Sequence, residues 1–493
     1  MEIRKMTLQT ETLFGVRTAQ AQMESAIPLP QGKSAERVLS VGASATVDEV
    51  TCRDGAVVIG GTMTVQPVVE GTDKQPLAFE AAATFSHTIR MDGVTPDMNA
   101  RVSAEIPACT LKREDGGLRM QATVQLSAAV FSPQEIPCIT ALEDGDGLEQ
   151  MSVPLTLKRR KLLGAHSLHL RETLDAPRAC TVLKASATPL VTALVKGTDG
   201  QLPQGELKLS VLFTEPDGGI RRTLYTVPYS DVVPCESGEE PYAEATLTRL
   251  NATVEEEGSL TVDATLSIGV YGSKTETQRI LTDAYDASGS FSCAAEPAET
   301  LCYEGARFET VQMNETIPVP NHMKDAYLPL YASLRTAVTQ VTVQDGRGRI
   351  EGVLAVTVVY RDDDGMKQSF VHELPLSFDT EARGTLLLPS VCAYDAQLSG
   401  SGRTVSLKLT VTVGVEWYRA ETFSYVPELS KGVPCETNAG MLVWFADENE
   451  TLFSIGKRFS VPITRVRACN PKLTEPIAEG TPVMVLRSEV ASM

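Results

Sequence analysis

The sequence predicts a mainly β protein: three tandem antiparallel β-sandwich-like repeats, then a small β-α-α-β module. The first observation behind this is a repeat. Gly61-Thr62-Met63-Thr64-Val65-Gln66-Pro67-Val68-Val69 returns as Gly205-Glu206-Leu207-Lys208-Leu209-Ser210-Val211-Leu212-Phe213 and as Gly352-Val353-Leu354-Ala355-Val356-Thr357-Val358-Val359-Tyr360. In the same register Leu39 matches Leu183 and Leu330, Val47 matches Val191 and Val338, and Val50 matches Leu194 and Val341. So many shared columns mark copies of one domain. The second observation is alternation, as in Met120-Ala122-Val124-Leu126, Leu260-Val262-Ala264-Leu266-Ile268 and Val405-Leu407-Leu409-Val411-Val413. A period of two gives a strand with one buried and one solvated face. The third is a change of pattern after Cys435, where helical spacing appears. The expected division is 1–150, 151–295, 296–435 and 436–493.

Taken in order, the leader 1–36 belongs to the repeat. Its Glu24-Ser25-Ala26-Ile27-Pro28-Leu29-Pro30 reappears as Glu315-Thr316-Ile317-Pro318-Val319-Pro320 and, more weakly, as Glu172-Thr173-Leu174-Asp175-Ala176-Pro177. The prolines fit an edge strand or lead-in. Within copy one, Asp54-Gly55, Asp92-Gly93 and Asp115-Gly116-Gly117 read as turns between Val57-Ile59, Met63-Val65, Val102-Ala104-Ile106 and the strand that follows. Five or six antiparallel strands per copy suggest a sandwich. Gly61, Gly205 and Gly352 stand where a buried run begins, which predicts a bulge or a close backbone approach. Stretches near 131–160, 273–308 and 426–440 are richer in Pro, Gly, Ser or acidic residues and read as linkers.

Hydrophobic residues make up 42% and charged residues 22% of the 493, a balance that lets each repeat bury a core. The formal net charge of −19 repels polyphosphate and anionic lipid, so neither nucleic acid nor a membrane surface is an expected partner. The local exception, Lys158-Arg159-Arg160-Lys161, reads as a solvated linker. No signal-peptide core follows Met1-Glu2-Ile3-Arg4-Lys5, and no run of about 18 apolar residues exists. A protein kept in the cytoplasm, without membrane insertion, is the expectation. Ten cysteines without CxxC spacing, the closest pair being Cys293 and Cys302, read as free thiols.

No catalytic constellation, metal site or cofactor site assembles from the motifs. His87 and His372 align in one column with Tyr225, a half-exposed strand position. His166 and His169, three apart in an extended stretch, point to opposite faces. Gln31-Gly32-Lys33-Ser34 ends like a phosphate loop, but Ile27 stands where its first glycine is required. Asp362-Asp363-Asp364-Gly365 and Glu143-Asp144-Gly145-Asp146-Gly147 lack alternating ligands with a distal Glu and read as turns. An enzyme is not expected.

In the tail, Leu442-Val443-Trp444-Phe445 reads as a strand and Thr451 to Phe459 as a helix with Leu452, Ile455 and Phe459 on one face. Thr451 can cap its start. Pro462 opens a second helix that ends near Ala468, and Pro482 to Leu486 returns as a strand. The run Thr451 to Phe459, then Val461, Asn470-Pro471-Lys472-Leu473, Ile477 and Glu479-Gly480-Thr481, resembles a LysM module. That resemblance implies a loop surface for N-acetylglucosamine-containing glycan at Asn449, Glu450, Thr451, Leu452 and Phe453, and at Asn470, Pro471 and Leu473. Asn449-Glu450-Thr451 replaces the family's Gly-Asp-Thr, and Gly456 replaces its common Ala, so a protein-binding surface is the other expectation.

The upstream copies resemble SPOCS domains of SipL-type spore-coat morphogenetic proteins. The resemblance rests on Asp54-Gly55 to Val69, on Asp345-Gly346 to Tyr360 and on their place before the module; it covers about residues 1–430. Copy two departs most, with Gly200-Gln201-Leu202-Pro203. The resemblance implies a non-enzymatic adaptor in endospore coat assembly, in the mother cell at the forespore surface. Its LysM-like module would contact the basement-layer ATPase of the coat. The alternative is a cell-wall protein whose module binds peptidoglycan and whose repeats act as spacers.

Overall fold

The computed structural model describes residues 2–114, 116–143, 147–255, 258–287, 289–432 and 440–487. Asp115, Asp144 to Asp146 and Cys435, all named above, lie outside them. The chain folds into mainly β structure. The first unit holds β1 (Glu2–Pro28), β2 (Arg37–Arg53), β3 (Ala56–Glu70), the short β4 (Pro76–Ala78), β5 (Ala81–Arg90), β6 (Asn99–Glu114) and β7 (Gly117–Glu143). The second holds β8 (Leu148–Asp175), β9 (Thr181–Lys196), β10 (Gln201–Thr214), β11 (Ile220–Ser230), β12 (Glu239–Val254) and β13 (Ser259–Asp286). After β14 (Phe291–Cys293), the third holds β15 (Glu296–Pro318), β16 (Ala326–Gln344), β17 (Arg347–Asp362), β18 (Lys367–Glu381), β19 (Leu386–Ser399) and β20 (Thr404–Tyr425). A short β21 (Leu429–Lys431) pairs with β14.

Each unit has the same topology. Its first strand pairs with its last, so that Ile27 faces Leu118, Leu174 faces Leu260 and Ile317 faces Val405. The last strand also pairs with the one before it, and the three remaining long strands form the second sheet. Alternate residues of the central strands fill the space between the sheets, as Val57, Ile59, Met63 and Val65 do in β3 and Leu354, Val356, Val358 and Tyr360 in β17. The repeated glycines serve this packing. Gly61, Gly205 and Gly352 pair with Val47, Val191 and Val338, each beside a shift in strand register. A Cβ there would lie 2.3, 2.3 and 2.6 Å from the carbonyl oxygens of Thr46, Leu190 and Ala337. Both the bulge and the close approach are present.

The same columns hold the units to one another. Leu39, Leu183 and Leu330 meet Val68, Leu212 and Val359 in a single apolar cluster, each triplet being one repeat position. One chain thus packs its units as a cyclic trimer packs subunits.

The stretches 131–160 and 273–308, expected as linkers, are largely strand. β1, β7, β8, β13, β15 and β20 run beyond the sandwiches as two-stranded ribbons: Glu2–Leu13 with Phe131–Glu143, Leu148–Leu162 with Tyr271–Asp286, and Glu296–Tyr303 with Tyr418–Tyr425. The ribbons pack together through Leu8, Ile136 and Cys138, Leu155, Leu157 and Ile280, and Ala298, Phe423 and Tyr425. Beyond Phe131, β7 has no strand partner but β1 among the described residues, although Ile139 N donates to Val426 O at 2.9 Å, so Pro133 and Pro137 cost it no ladder hydrogen bond on that side. Proline content therefore signalled open strand edges, not linkers.

The basic stretch is likewise part of β8 and not a solvated linker. Lys158 donates to Glu240 at 2.7 Å, and Lys161 pairs with Glu236. Arg160 lies over the Tyr271 ring, 3.9 Å from its centroid, and its Nε is 2.9 Å from Glu416 Oε1. Arg101 Nη1 of the first unit is 3.3 Å from Glu416 Oε2. Tyr242 and Tyr418 hydroxyls each donate to Glu416 at 3.0 Å. One carboxylate of the third unit thus holds an arginine from each of the other two. Burial alone would lower Arg160, but Glu416 beside it holds the guanidinium above its ordinary value.

Candidate functional site

The tail forms β22 (Met441–Phe445), α1 (Leu452–Phe459), α2 (Ile463–Cys469) and β23 (Pro482–Leu486). Thr451 caps α1: its hydroxyl accepts from Ser454 N at 3.1 Å, and Ser454 Oγ accepts from Thr451 N at 2.9 Å. Pro462 precedes α2. Antiparallel β22 and β23 bury Val483 and Val485 against Leu452, Ile455, Val461, Val466 and Ile477. Their other face points outward, with Met441, Val443 and Phe445 64%, 53% and 63% exposed.

The candidate residues fall into separate roles. Asn449, Thr451 and Pro471 are exposed at the two loops. Leu452 and Leu473 belong to the core. Asn470 is a latch: its Nδ2 donates to Val466 O and Met484 O, both at 2.7 Å, and its Oδ1 accepts from Met484 N at 2.9 Å. Glu450 is buried and accepts from Trp444 Nε1 at 2.6 Å and Asp447 N at 3.0 Å, with Arg458 Nη2 2.9 Å from its Oε1. Glu475, which the sequence did not single out, joins the two loops by accepting from Leu452 N at 2.9 Å. No spacing rule announces it.

Burial raises the Glu450 carboxyl, but the donors from Trp444 and Asp447 and the Arg458 charge outweigh it and hold Glu450 below its ordinary 4.5. A depressed carboxyl contributes stability above its unfolded value and loses it as pH falls through the folded one. Glu450→Gln is therefore expected to lower the module's stability at pH 7 and to flatten its loss below pH 4.5. Trp444 fluorescence in a Trp417→Phe background reads this. An unchanged acid profile would remove Glu450 as the cause.

Phe453 does not face a ligand loop. Its ring packs edge-on against Tyr285 of β13, with centroids 5.2 Å apart. Tyr285 OH donates to Val461 O at 2.9 Å, and a Cβ on Gly456 would lie 2.2 Å from that hydroxyl oxygen. Lys457 Nζ reaches Asp283 Oδ1 at 2.5 Å, and Ile463 N donates to Glu149 at 2.9 Å. The module is thus docked on the end of the second ribbon through α1, and Gly456 makes room for Tyr285. Burial pushes the Tyr285 phenol well above its ordinary range, so it stays a neutral donor.

The other candidates are structural. His87 pairs with Ile59, whereas Tyr225 and His372 pair with Leu209 and Val356, so His87 does not share their column. β5 keeps the register of β11 and β18, with Phe85, Tyr229 and Leu376 opposite Gly61, Gly205 and Gly352, so His87 matches Phe378 of the third unit and the sequence alignment was six residues out. His166 bonds Asp231 at 2.9 Å, and His169 pairs with Asp263 at 3.1 Å. Asp362 accepts from Met366 N at 2.8 Å and closes a turn. The nine cysteines among the described residues are free thiols, and burial pushes the Cys109 thiol up to about 11. No helix among the described residues is long and apolar enough to cross a membrane.

Residues 34–113, spanning β2 to most of β6, match the family model described as SipL, SPOCS domain. The first unit thus carries a SPOCS domain, which supports a SipL-type sporulation protein. No curated protein and no solved structure matches it.

Proposed function

We propose that this chain is a non-enzymatic adaptor of endospore coat assembly, acting in the mother cell at the forespore surface. Its C-terminal module, read as LysM-like, captures the basement-layer ATPase, and the three β units carry that module to other coat or forespore components. The observation that carries this reading is the docking of α1 on the second ribbon beside the SPOCS match. A module fixed in orientation on a rigid body suits assembly of a layer better than a tethered bead does. Its outward apolar strand face suits a protein partner, since Asn470 and Glu450 spend their polar atoms inside the module.

Co-precipitation tests it, with full-length protein and a 1–432 truncation as baits for the coat ATPase and purified peptidoglycan in parallel. The ATPase is expected to be captured by the full chain and lost with the truncation. Retention by the truncation would remove the module as the hook. Peptidoglycan binding without ATPase capture would establish the cell-wall alternative.

A further inference from the structure

In every unit the first strand and the fourth long strand are both sheet edges and face each other across one open side of the sandwich. The three units treat this opening differently. In the first, Phe85 stands at the repeat position opposite Gly61, its ring atom 2.3 Å from where a Cβ would lie, and the cleft beside it is about 320 Å³ with Gln20, Gln22 and Glu24 on its lip. In the second, Tyr229 takes that position over Gly205, and two side-chain bridges span the opening. These are His166 to Asp231 at 2.9 Å, and Tyr225 OH to Asp175 O at 2.7 Å. In the third, the position is Leu376, opposite Gly352, and the opening holds a cleft of about 490 Å³.

The third cleft is the larger of the two and the one with mainly apolar walls. Its walls are Val311, Met313, Leu376, Phe378, Val413 and Val415. It runs along Arg307–Met313 of β15 and Pro375–Thr380 of β18, roughly 20 Å at about 3.3 Å per residue. Alternate residues of β15 line it, and the outer edges of β15 and β18 have no strand partner among the described residues. Arg307 pairs with Glu309 at 2.8 Å on one lip, and exposed Asp379 on the other leaves the mouth net negative.

We propose that the cleft of the third unit takes an extended polypeptide strand from a partner, its apolar residues alternating with basic ones. The apolar side chains fill the space that an aromatic ring occupies in the other units. The strand's backbone pairs with an open edge, and its basic residues meet Glu309 and Asp379. This site is distinct from the module and gives the protein a second attachment point.

The test is selection of a random decapeptide display library on the full-length protein, with counter-selection on Leu376→Phe. That variant installs the residue the first unit already carries, so folding is retained. Enriched peptides are expected to alternate apolar residues with Lys or Arg and to bind in fluorescence anisotropy. Leu376→Phe is expected to weaken them at least tenfold. Val311→Lys, at a 38% exposed position, is expected to do the same without touching the core. N-methylation of alternate backbone amides in the peptide is expected to cost at least tenfold as well. The proposal is overturned if no peptide distinguishes the parent from Leu376→Phe, or if N-methylated peptides bind equally, which would mark a general apolar pocket.

Discussion

Glu416→Leu is expected to destabilise the protein by about 3 kcal/mol, the low end of the cost of breaking a buried ion pair. The Glu416 and Arg160 side chains are only 15% and 17% exposed, and Arg160 is wedged against Tyr271, so its charge cannot turn to water. Arg101, 39% exposed, is partly screened and adds less. The loss comes from the stranded guanidinium more than from the missing attraction. A double variant, Arg160→Leu with Glu416→Leu, is therefore expected to recover most of it. Calorimetric melting of the three proteins decides this. If Glu416→Leu melted with the parent, or the double variant lay below the single one, the network would not join the units as described.

The network also explains how a chain of three similar units avoids mispairing. At the Glu416 position the first unit has Ala129 and the second Tyr271, facing Arg101 and Tyr242 respectively. A symmetric apolar seam would accept the units in any cyclic order, whereas one carboxylate between two arginines fits one order. Leu39, Val68 and their counterparts supply attraction, and the charged layer supplies identity.

How much of this was legible follows from where the information sits. Val57 to Val65 and Leu354 to Tyr360 announced themselves because a strand with one buried face writes its burial into alternation. The module's element order was legible through Thr451 and Pro462, whose capping roles are local. The ribbons were misread because each buries a single face against two other ribbons and leaves the rest polar, which resembles linker composition. Arg160 was misread for a related reason: its partner lies in another unit, and nothing near it in sequence names Glu416. Of the candidate loop residues, Asn470 and Glu450 look like ligand groups by position, yet their donors and acceptors are internal. Gly456 was visible as a departure from the common Ala, while Tyr285 was not, because docking is a relation between distant residues.

Gly456→Ala is therefore expected to free the module from the second ribbon. Its Cβ would meet Tyr285 Oη at 2.2 Å and Val461 O at 2.8 Å. The Val461 contact is with backbone and demands a shift inside the module as well, so Tyr285→Ala is the cleaner release of the two. The Tyr285 contact lies at the interface and cannot yield without losing the donation to Val461 O and the packing on Phe453. Hydrogen exchange at the Ile463 amide, which donates to Glu149, reads the docked state directly. Exchange there is expected to accelerate at least tenfold in Gly456→Ala and in Tyr285→Ala. The two changes together are expected to do little more than either alone, since both break one contact. ATPase capture then separates orientation from recognition. If the module recognises its partner through the β22–β23 face, the freed module still binds, more weakly because its orientation is no longer fixed. If capture strengthens on release, docking conceals the recognition surface instead of presenting it, and the α1 face that carries Phe453 becomes the partner site.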